Sequence, residues 1–124
     1  MEIIKTDLAP KAIGPYSQAI KVDKFIYTSG QLGIDIKTGL LPANIEEQTN
    51  NAIMNLKAIL EAKNYSLADV IKTTVFVHNI NDFNTINDIY KNYFISNPAR
   101  SLVAVKDLPK NALIEIEVVA YKED

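Results

Sequence analysis

The sequence predicts a single α+β domain: a mixed sheet of order β-β-α-β-α-β-β with both helices packed on one face. Two segments carry apolar residues at helical spacing, and they alternate along the chain with segments rich in β-branched residues. The chain has 124 residues, of which 48% are hydrophobic and 23% charged. One domain over residues 1–124 can therefore bury an ordinary core.

In the first half of the chain, the sequence places one of the two strands that precede the first helix, and then a long helix. Val22 to Gln31 alternates in side-chain character and runs into a glycine-containing turn. Further on, Asn44 and Glu47 resemble a capping box, and apolar residues then recur at helical spacing. We expect this helix to end near Lys63, with Asn64 in the left-handed conformation usually adopted by glycine.

The second half predicts three strands and one helix. Val70 to His78 is dense in β-branched residues and predicts a strand. A helix with an apolar, aromatic side should begin at about Asp82. Arg100 to Lys106 and Ala112 to Tyr121 predict the last two strands, joined by a turn over residues 107–111.

Composition argues against several classes of function. The chain has no cysteine and only one histidine, so it has no thiolate nucleophile and no usual zinc ligand set, and we expect no metal and no cofactor. A net charge of −2 argues against a general attraction to nucleic acid. The acidic N-terminus is followed by no long apolar run, so we expect no membrane span and a cytoplasmic protein.

Arg100 is the only arginine in the chain, and it stands between Pro98 and Val103. Its planar guanidinium suits a carboxylate better than a lysine would, so a bound organic acid is the first candidate ligand. The alternative is a structural role, in which Arg100 pairs with a neighbouring carboxylate such as Asp82. Spacing alone does not choose between the two.

The last predicted strand carries two carboxylates on one face. Because side chains alternate along a strand, Glu115 and Glu117 share a face with Val119 and Tyr121, while the other face is apolar. The mixed face fits either a solvated surface or a polar cleft. For an arbitrary strand the solvated surface is the commoner outcome.

Two segments near the N-terminus could shape a binding site. Gly14 and Pro15 join a flexible residue to a rigid one, which fixes where the hydroxyl of Tyr16 points. Ser29 and Gly30 close a strand with a hydroxyl and an open backbone, which suits an anion. Each segment alone is equally compatible with a plain turn.

Five segments carry a shared pattern along nearly the whole chain, and they span residues 13–19, 28–31, 71–77, 98–101 and 108–117. Taken together and in this order, they resemble the Rid family, the YjgF-like imine deaminases. The resemblance implies a chorismate-mutase-like fold and a homotrimer with clefts between subunits. It also implies hydrolysis of 2-imino acids, such as 2-iminobutanoate and 2-iminopropanoate, to 2-oxo acids and ammonia.

The resemblance also assigns catalytic roles by motif. The family's carboxylate-binding arginine falls on Arg100, its water-directing glutamate on Glu115 and its cleft tyrosine on Tyr16. Glu117 is assigned to structure.

Four more residues are implied to contact substrate. Ser29 and Gly30 match the family's ligand-contacting Ser-Gly pair, and Asn87 falls where a cleft asparagine is often found. Leu102 stands where the close deaminase branch commonly has cysteine, which makes the pocket wall bulkier and less polar. This departure, together with a short stretch before Pro98, bears on substrate range.

Two other functions remain open at the level of sequence. One is a regulatory trimer that binds small carboxylates without turning them over. The other is an endoribonuclease or translation inhibitor, as some family members are described. The acidic charge and the lack of a basic cluster with interleaved aromatic residues argue against the second.

Overall fold

The computed structural model describes residues 1–123, which form one mixed sheet of seven strands with two α-helices. This confirms the predicted α+β class. The strands are β1 (Glu2–Ile4), β2 (Ala19–Val22), β3 (Phe25–Thr28), β4 (Gln31–Leu32), β5 (Val70–Val77), β6 (Ala99–Ala104) and β7 (Ile114–Tyr121), and the helices are α1 (Ile45–Glu61) and α2 (Phe83–Tyr90).

The strand order across the sheet is β1-β2-β3-β7-β5-β6, and the short β4 also pairs with β7. Only β5 and β6 run parallel; the other pairs are antiparallel. The predicted order missed two strands. The single strand expected over Val22 to Gln31 is interrupted because Asp23 adopts φ 54 and turns the chain between β2 and β3. Strand β1 has only three residues, too few to show a pattern.

Helix α1 follows the predicted signals closely. The side chain of Asn44 accepts a hydrogen bond from the backbone N–H of Glu47 at 2.8 Å, which satisfies one of the unpaired donors at the helix start. The helix ends at Glu61, and Asn64 takes the left-handed conformation with φ 62. Its buried apolar side chains are Ala52, Ile53, Leu56, Ile59 and Leu60.

The two faces of the sheet differ. The helices cover the face that carries Ile114, Ile116 and Val118 of β7, and these side chains are buried in one core cluster. The opposite face carries Glu115 and Glu117 and is covered by no helix of the described chain, so its side chains stay half-buried or exposed. Within residues 1–123, no helix is both long enough and apolar enough to cross a membrane.

Candidate functional site

The predicted site residues fall into two groups that lie on different parts of the sheet. Tyr16, Gly30 and Glu115 line one cleft, which we call the glutamate cleft. Arg100 and Asn87 contact each other between β6 and α2. Together with the rings of Phe83 and Tyr90, which contact Arg100, they form what we call the arginine clamp.

The glutamate cleft is a cavity of about 700 Å³. Its wall combines the N-terminal loop, the turn before β4 and the start of β7. The rest of the lining mixes basic, acidic, amide and apolar side chains. It includes Lys11, Ile13, Gln31, Asp35, Ile36 and Lys110.

Glu115 contributes a carboxylate to the lining of this cleft. Its carboxylate accepts no hydrogen bond from any group in residues 1–123. Burial raises the pKa of Glu115, and the nearby Glu117 carboxylate raises the pKa further. A half-buried carboxylate with a raised pKa and no protein partner can hold a water molecule and accept its proton.

Gly30 allows the Glu115 carboxylate to lie directly against the backbone. A Cβ atom at position 30 would lie 2.2 Å from Oε2 of Glu115 and 2.6 Å from its Cδ. No side chain other than hydrogen fits there while Glu115 keeps its position. The glycine of the Ser29-Gly30 pair is therefore required for steric reasons.

The loop that carries Tyr16 is held by hydrogen bonds from two directions. Ser29 donates from its hydroxyl to the carbonyl of Ser17 at 2.6 Å, and its backbone N–H donates to the carbonyl of Gln18 at 2.8 Å. Gly14 makes the turn before Tyr16 at φ 125. The Ser29 hydroxyl proton is thus committed to the loop, while its oxygen can still accept a hydrogen bond from a ligand.

The buried side chain of Gln18 ties the start of the same loop. Its amide nitrogen donates to the carbonyls of Thr6 and Pro10 at 3.1 and 2.8 Å, and its amide oxygen accepts from the Thr6 N–H at 2.7 Å. The path of residues 6–16 beside the cleft is therefore fixed by backbone contacts.

The arginine clamp holds the guanidinium of Arg100 without a carboxylate. Nη1 donates to Oδ1 of Asn87 at 2.7 Å, and Cζ lies 4.8 Å from the ring centroid of Tyr90 and 5.6 Å from that of Phe83. None of the ion pairs within residues 1–123 involves Arg100. Most of its five donors therefore stay available to an acid.

Leu102 lies two residues beyond Arg100 on the same side of β6. It is half-buried and packs against the core cluster. Asn87 uses its amide oxygen for Arg100, so its NH₂ group is the part that can reach a ligand.

Within one chain the two groups face opposite sides of the sheet. Arg100 pairs with Thr73, and Thr73 pairs with Val118, so all three point toward the helices. Glu115 is three residues from Val118 and points to the other face. The two backbones are separated by two strand spacings, about 10 Å, and by about 10 Å along the strand.

Two aromatic partners of Arg100 were not predicted from the sequence. Phe83, Asn87 and Tyr90 are spaced i, i+4 and i+7, so they share one side of α2. That spacing was visible in the sequence. Tyr90 is buried in the core cluster, and its ring also contacts Arg100.

The cleft lysines were also missed. Lys110 lies in a turn with φ 58, and neither this conformation nor its place in the lining of the glutamate cleft could be read from the local sequence. Residues 1–123 contain no group of three or more His, Cys, Asp or Glu side chains placed to hold a metal ion.

Comparison with known proteins identifies the family. Residues 6–122 match the family described as Endoribonuclease L-PSP. A RutC family protein of Pyrococcus horikoshii is 54% identical over 124 residues, which is 98% of each chain. The human 2-iminobutanoate/2-iminopropanoate deaminase is 51% identical over 122 residues, 97% of this chain and 89% of the human one.

A solved structure agrees with this relationship. The crystal structure of Escherichia coli TdcF with bound serine is similar with a TM-score of 0.95 at 42% identity, over 99% of this chain and 100% of TdcF. The chain therefore belongs to the Endoribonuclease L-PSP family, which is the Rid (YjgF-like) family that its sequence motifs resemble.

Proposed function

We propose that this protein hydrolyses 2-imino acids to 2-oxo acids and ammonia, in clefts formed between the subunits of a homotrimer. The observation that carries the proposal is the half-buried Glu115 carboxylate, which has a raised pKa and no protein partner. The uncommitted guanidinium of Arg100 supplies the complementary group for a substrate carboxylate. The name of the human relative supports the same reaction.

A site between subunits follows from where the two groups lie. A 2-imino acid has its carboxylate next to the C=N carbon, so the group that binds the acid and the group that activates water must lie within a few ångströms of one substrate. Arg100 and Glu115 of one chain face opposite sides of the sheet, so they cannot both contact it. A second copy of the chain can bring its Arg100 to the Glu115 of the first.

The uncovered face of the sheet supports such an association. Tyr27 of β3 and Val103 of the edge strand β6 are 48% and 45% exposed, and both lie on the face that carries Glu115. Apolar side chains exposed on a sheet face and an unpaired strand edge are typical of a surface that is buried in an oligomer.

The reaction needs few groups. Arg100 binds the substrate carboxylate through two parallel N–H donors and so presents the adjacent C=N carbon to a water molecule held by Glu115. Glu115 takes a proton from this water as the oxygen bonds to carbon and the C=N electron pair moves to nitrogen. Glu115 returns this proton to the nitrogen, which gives the neutral aminoalcohol. Glu115 then takes the hydroxyl proton and passes it to the NH₂ group, so that the C=O bond forms, the C–N bond breaks and the nitrogen leaves as ammonia. Tyr16 donates a hydrogen bond to this polar centre.

A coupled assay tests the proposal. A dehydratase acting on serine or threonine generates the imines, and ammonia release is followed with and without the purified protein. We expect faster release with the wild-type protein and no acceleration with Arg100→Ala. Glu115→Gln should still bind 2-oxobutanoate by calorimetry but should hydrolyse imines slowly. Wild-type rates in the Arg100→Ala protein would refute the assignment.

Mixing the two inactive variants tests the shared site. When Arg100→Ala and Glu115→Gln chains are co-expressed, a site between subunits regains one intact Arg100 and one intact Glu115 in about a quarter of random pairings. We therefore expect activity to reappear in the mixture. Sites contained within single chains would give none.

The same measurements separate the alternative functions. Saturable binding of 2-oxobutanoate without any rate enhancement would indicate a regulatory carboxylate-binding protein. RNA cleavage that is lost in the Arg100→Ala protein would indicate the endoribonuclease activity in the family description.

A further inference from the structure

We propose that Tyr90, anchored by Thr73, is a positioning residue that sets the orientation of the Arg100 guanidinium for carboxylate binding. The inference rests on the proposed function, because it assigns Arg100 to a substrate carboxylate. It goes further by identifying what holds the guanidinium in place. Neither Tyr90 nor Thr73 was a predicted site residue.

The anchor is a hydrogen bond in the core. The hydroxyls of Thr73 and Tyr90 lie 2.7 Å apart, and the two residues are 0% and 8% exposed. Thr73 is also the residue that pairs with Arg100 in the β5–β6 register. The backbone of Arg100 and the ring of Tyr90 are therefore both held in place by Thr73. The ring cannot slide or tilt away without breaking a buried hydrogen bond.

Thr73 places a hydroxyl in the apolar core, and packing alone does not require a polar group there. Its neighbours on the same face of β5, Val75 and Val77, are fully buried and apolar. Valine at position 73 would fill nearly the same volume without a polar atom. The hydroxyl fixes the ring of Tyr90 where a plain apolar contact would leave it free to shift.

The ring in turn defines what Arg100 can contact. With Cζ 4.8 Å from the Tyr90 centroid, the ring covers part of the guanidinium and removes water from it. Asn87 accepts from Nη1 and fixes the rotation of the guanidinium about its own axis. The N–H donors that remain make no hydrogen bond or ion pair within residues 1–123, so they stay available to a bidentate ligand such as a carboxylate.

Burial raises the pKa of Tyr90, and the hydrogen bond with Thr73 and the charge of Arg100 partly oppose this effect. Tyr90 therefore stays a neutral phenol in the physiological range. It can keep the hydrogen bond to Thr73 without forming an ion pair with Arg100.

The test compares carboxylate selectivity with stability. Calorimetry measures Kd for 2-oxobutanoate and for its amide, 2-oxobutanamide, on the intact oligomer. The ratio of the two constants reports the contribution of the carboxylate. We expect Tyr90→Leu to reduce this selectivity by at least fivefold, and Tyr90→Phe and Thr73→Val each to reduce it by about threefold. In the imine assay KM should rise by similar factors with kcat within twofold, because Arg100 holds the carboxylate in both ground and transition states.

Tyr93 provides a matched control. It lies three residues beyond Tyr90, and its hydroxyl donates to Oδ1 of Asn50 rather than contacting the clamp. Tyr93→Phe removes an equivalent hydroxyl, and Tyr93→Leu removes the ring as well. Both variants should lower Tm while leaving the selectivity for carboxylate unchanged.

Each outcome decides the proposal. Unchanged selectivity in Tyr90→Phe, Thr73→Val and Tyr90→Leu, with only Tm reduced, would overturn it, as would equal losses in the Tyr93 variants. If Tyr90→Leu does not fold, the two conservative variants still decide. If the wild-type protein binds 2-oxobutanoate but hydrolyses no imine, the proposed function fails while the positioning role is still measured by Kd. If wild type does not distinguish the acid from the amide, both fail.

Discussion

The glutamate cleft and the arginine clamp are built in opposite ways. In the cleft, the hydrogen bonds of Ser29 hold the loop and Gly30 leaves room for Glu115 against the backbone, while the carboxylate of Glu115 has no partner within residues 1–123. In the clamp, the charged group itself is held, since Arg100 contacts an amide and two rings. This contrast fits the proposed roles, in which Glu115 exchanges protons with water and so stays free, while Arg100 only binds and is fixed beforehand.

The largest expected effect comes from the backbone of the cleft. In Gly30→Ala the new methyl group would lie on the Glu115 side chain, which can swing away because it is the free end of a flexible group. We expect kcat/KM for imine hydrolysis to fall at least 100-fold with only a small change in Tm, because losing a positioned general base typically costs 10²–10⁴-fold.

Gly33→Ala is the matched comparison for that variant. A Cβ at position 33 would lie 2.2 Å from the backbone oxygen of Gln48 in α1, which cannot move without shifting the helix. This variant should lose stability first, as a marked fall in Tm. If Gly30→Ala loses as much Tm as Gly33→Ala, the close approach at Gly30 is structural and not catalytic.

A smaller effect is expected in the clamp. Asn87→Asp puts a carboxylate 2.7 Å from Nη1 of Arg100, where it would form an ion pair and compete with the substrate. KM should rise about 10-fold, with kcat nearly unchanged. Asn87→Ala removes the contact without adding a charge, so its KM should rise less. Steady-state kinetics distinguishes them, and equal KM values for the two variants would contradict a competing carboxylate.

The pH dependence tests the electrostatics of the cleft. Glu115 must be ionised to accept a proton, so activity should fall as the pH drops through its raised pKa. Because the charge of Glu117 helps to raise that pKa, Glu117→Gln should move the acid limb of the kcat/KM profile to lower pH. An acid limb that stays in place would show that Glu117 does not influence the catalytic carboxylate.

The fold could be predicted from the sequence more completely than the site could. Local signals, such as the Asn44 cap and the left-handed Asn64, predicted α1 to within two residues. The site depends on contacts between distant parts of the chain, such as Gly30 against Glu115, and no local pattern encodes them. Motif resemblance named Arg100 and Glu115, but only the pairing of β6, β5 and β7 reveals that they face opposite sides.

The smallest effect is on stability, and its sign follows from the same raised pKa. The folded chain holds a proton on Glu115 more readily than the unfolded chain, so the contribution of this group to stability falls as the pH rises from the usual glutamate pKa to the raised one. At neutral pH the ionised carboxylate therefore costs stability. Glu115→Gln should raise Tm by about 2 °C at pH 7, and this gain should disappear near pH 4. Scanning calorimetry at both pH values measures the difference. A lower Tm for Glu115→Gln at pH 7 would mean that Glu115 is held by favourable contacts, and the cleft would then lack the free base that distinguishes it from the clamp.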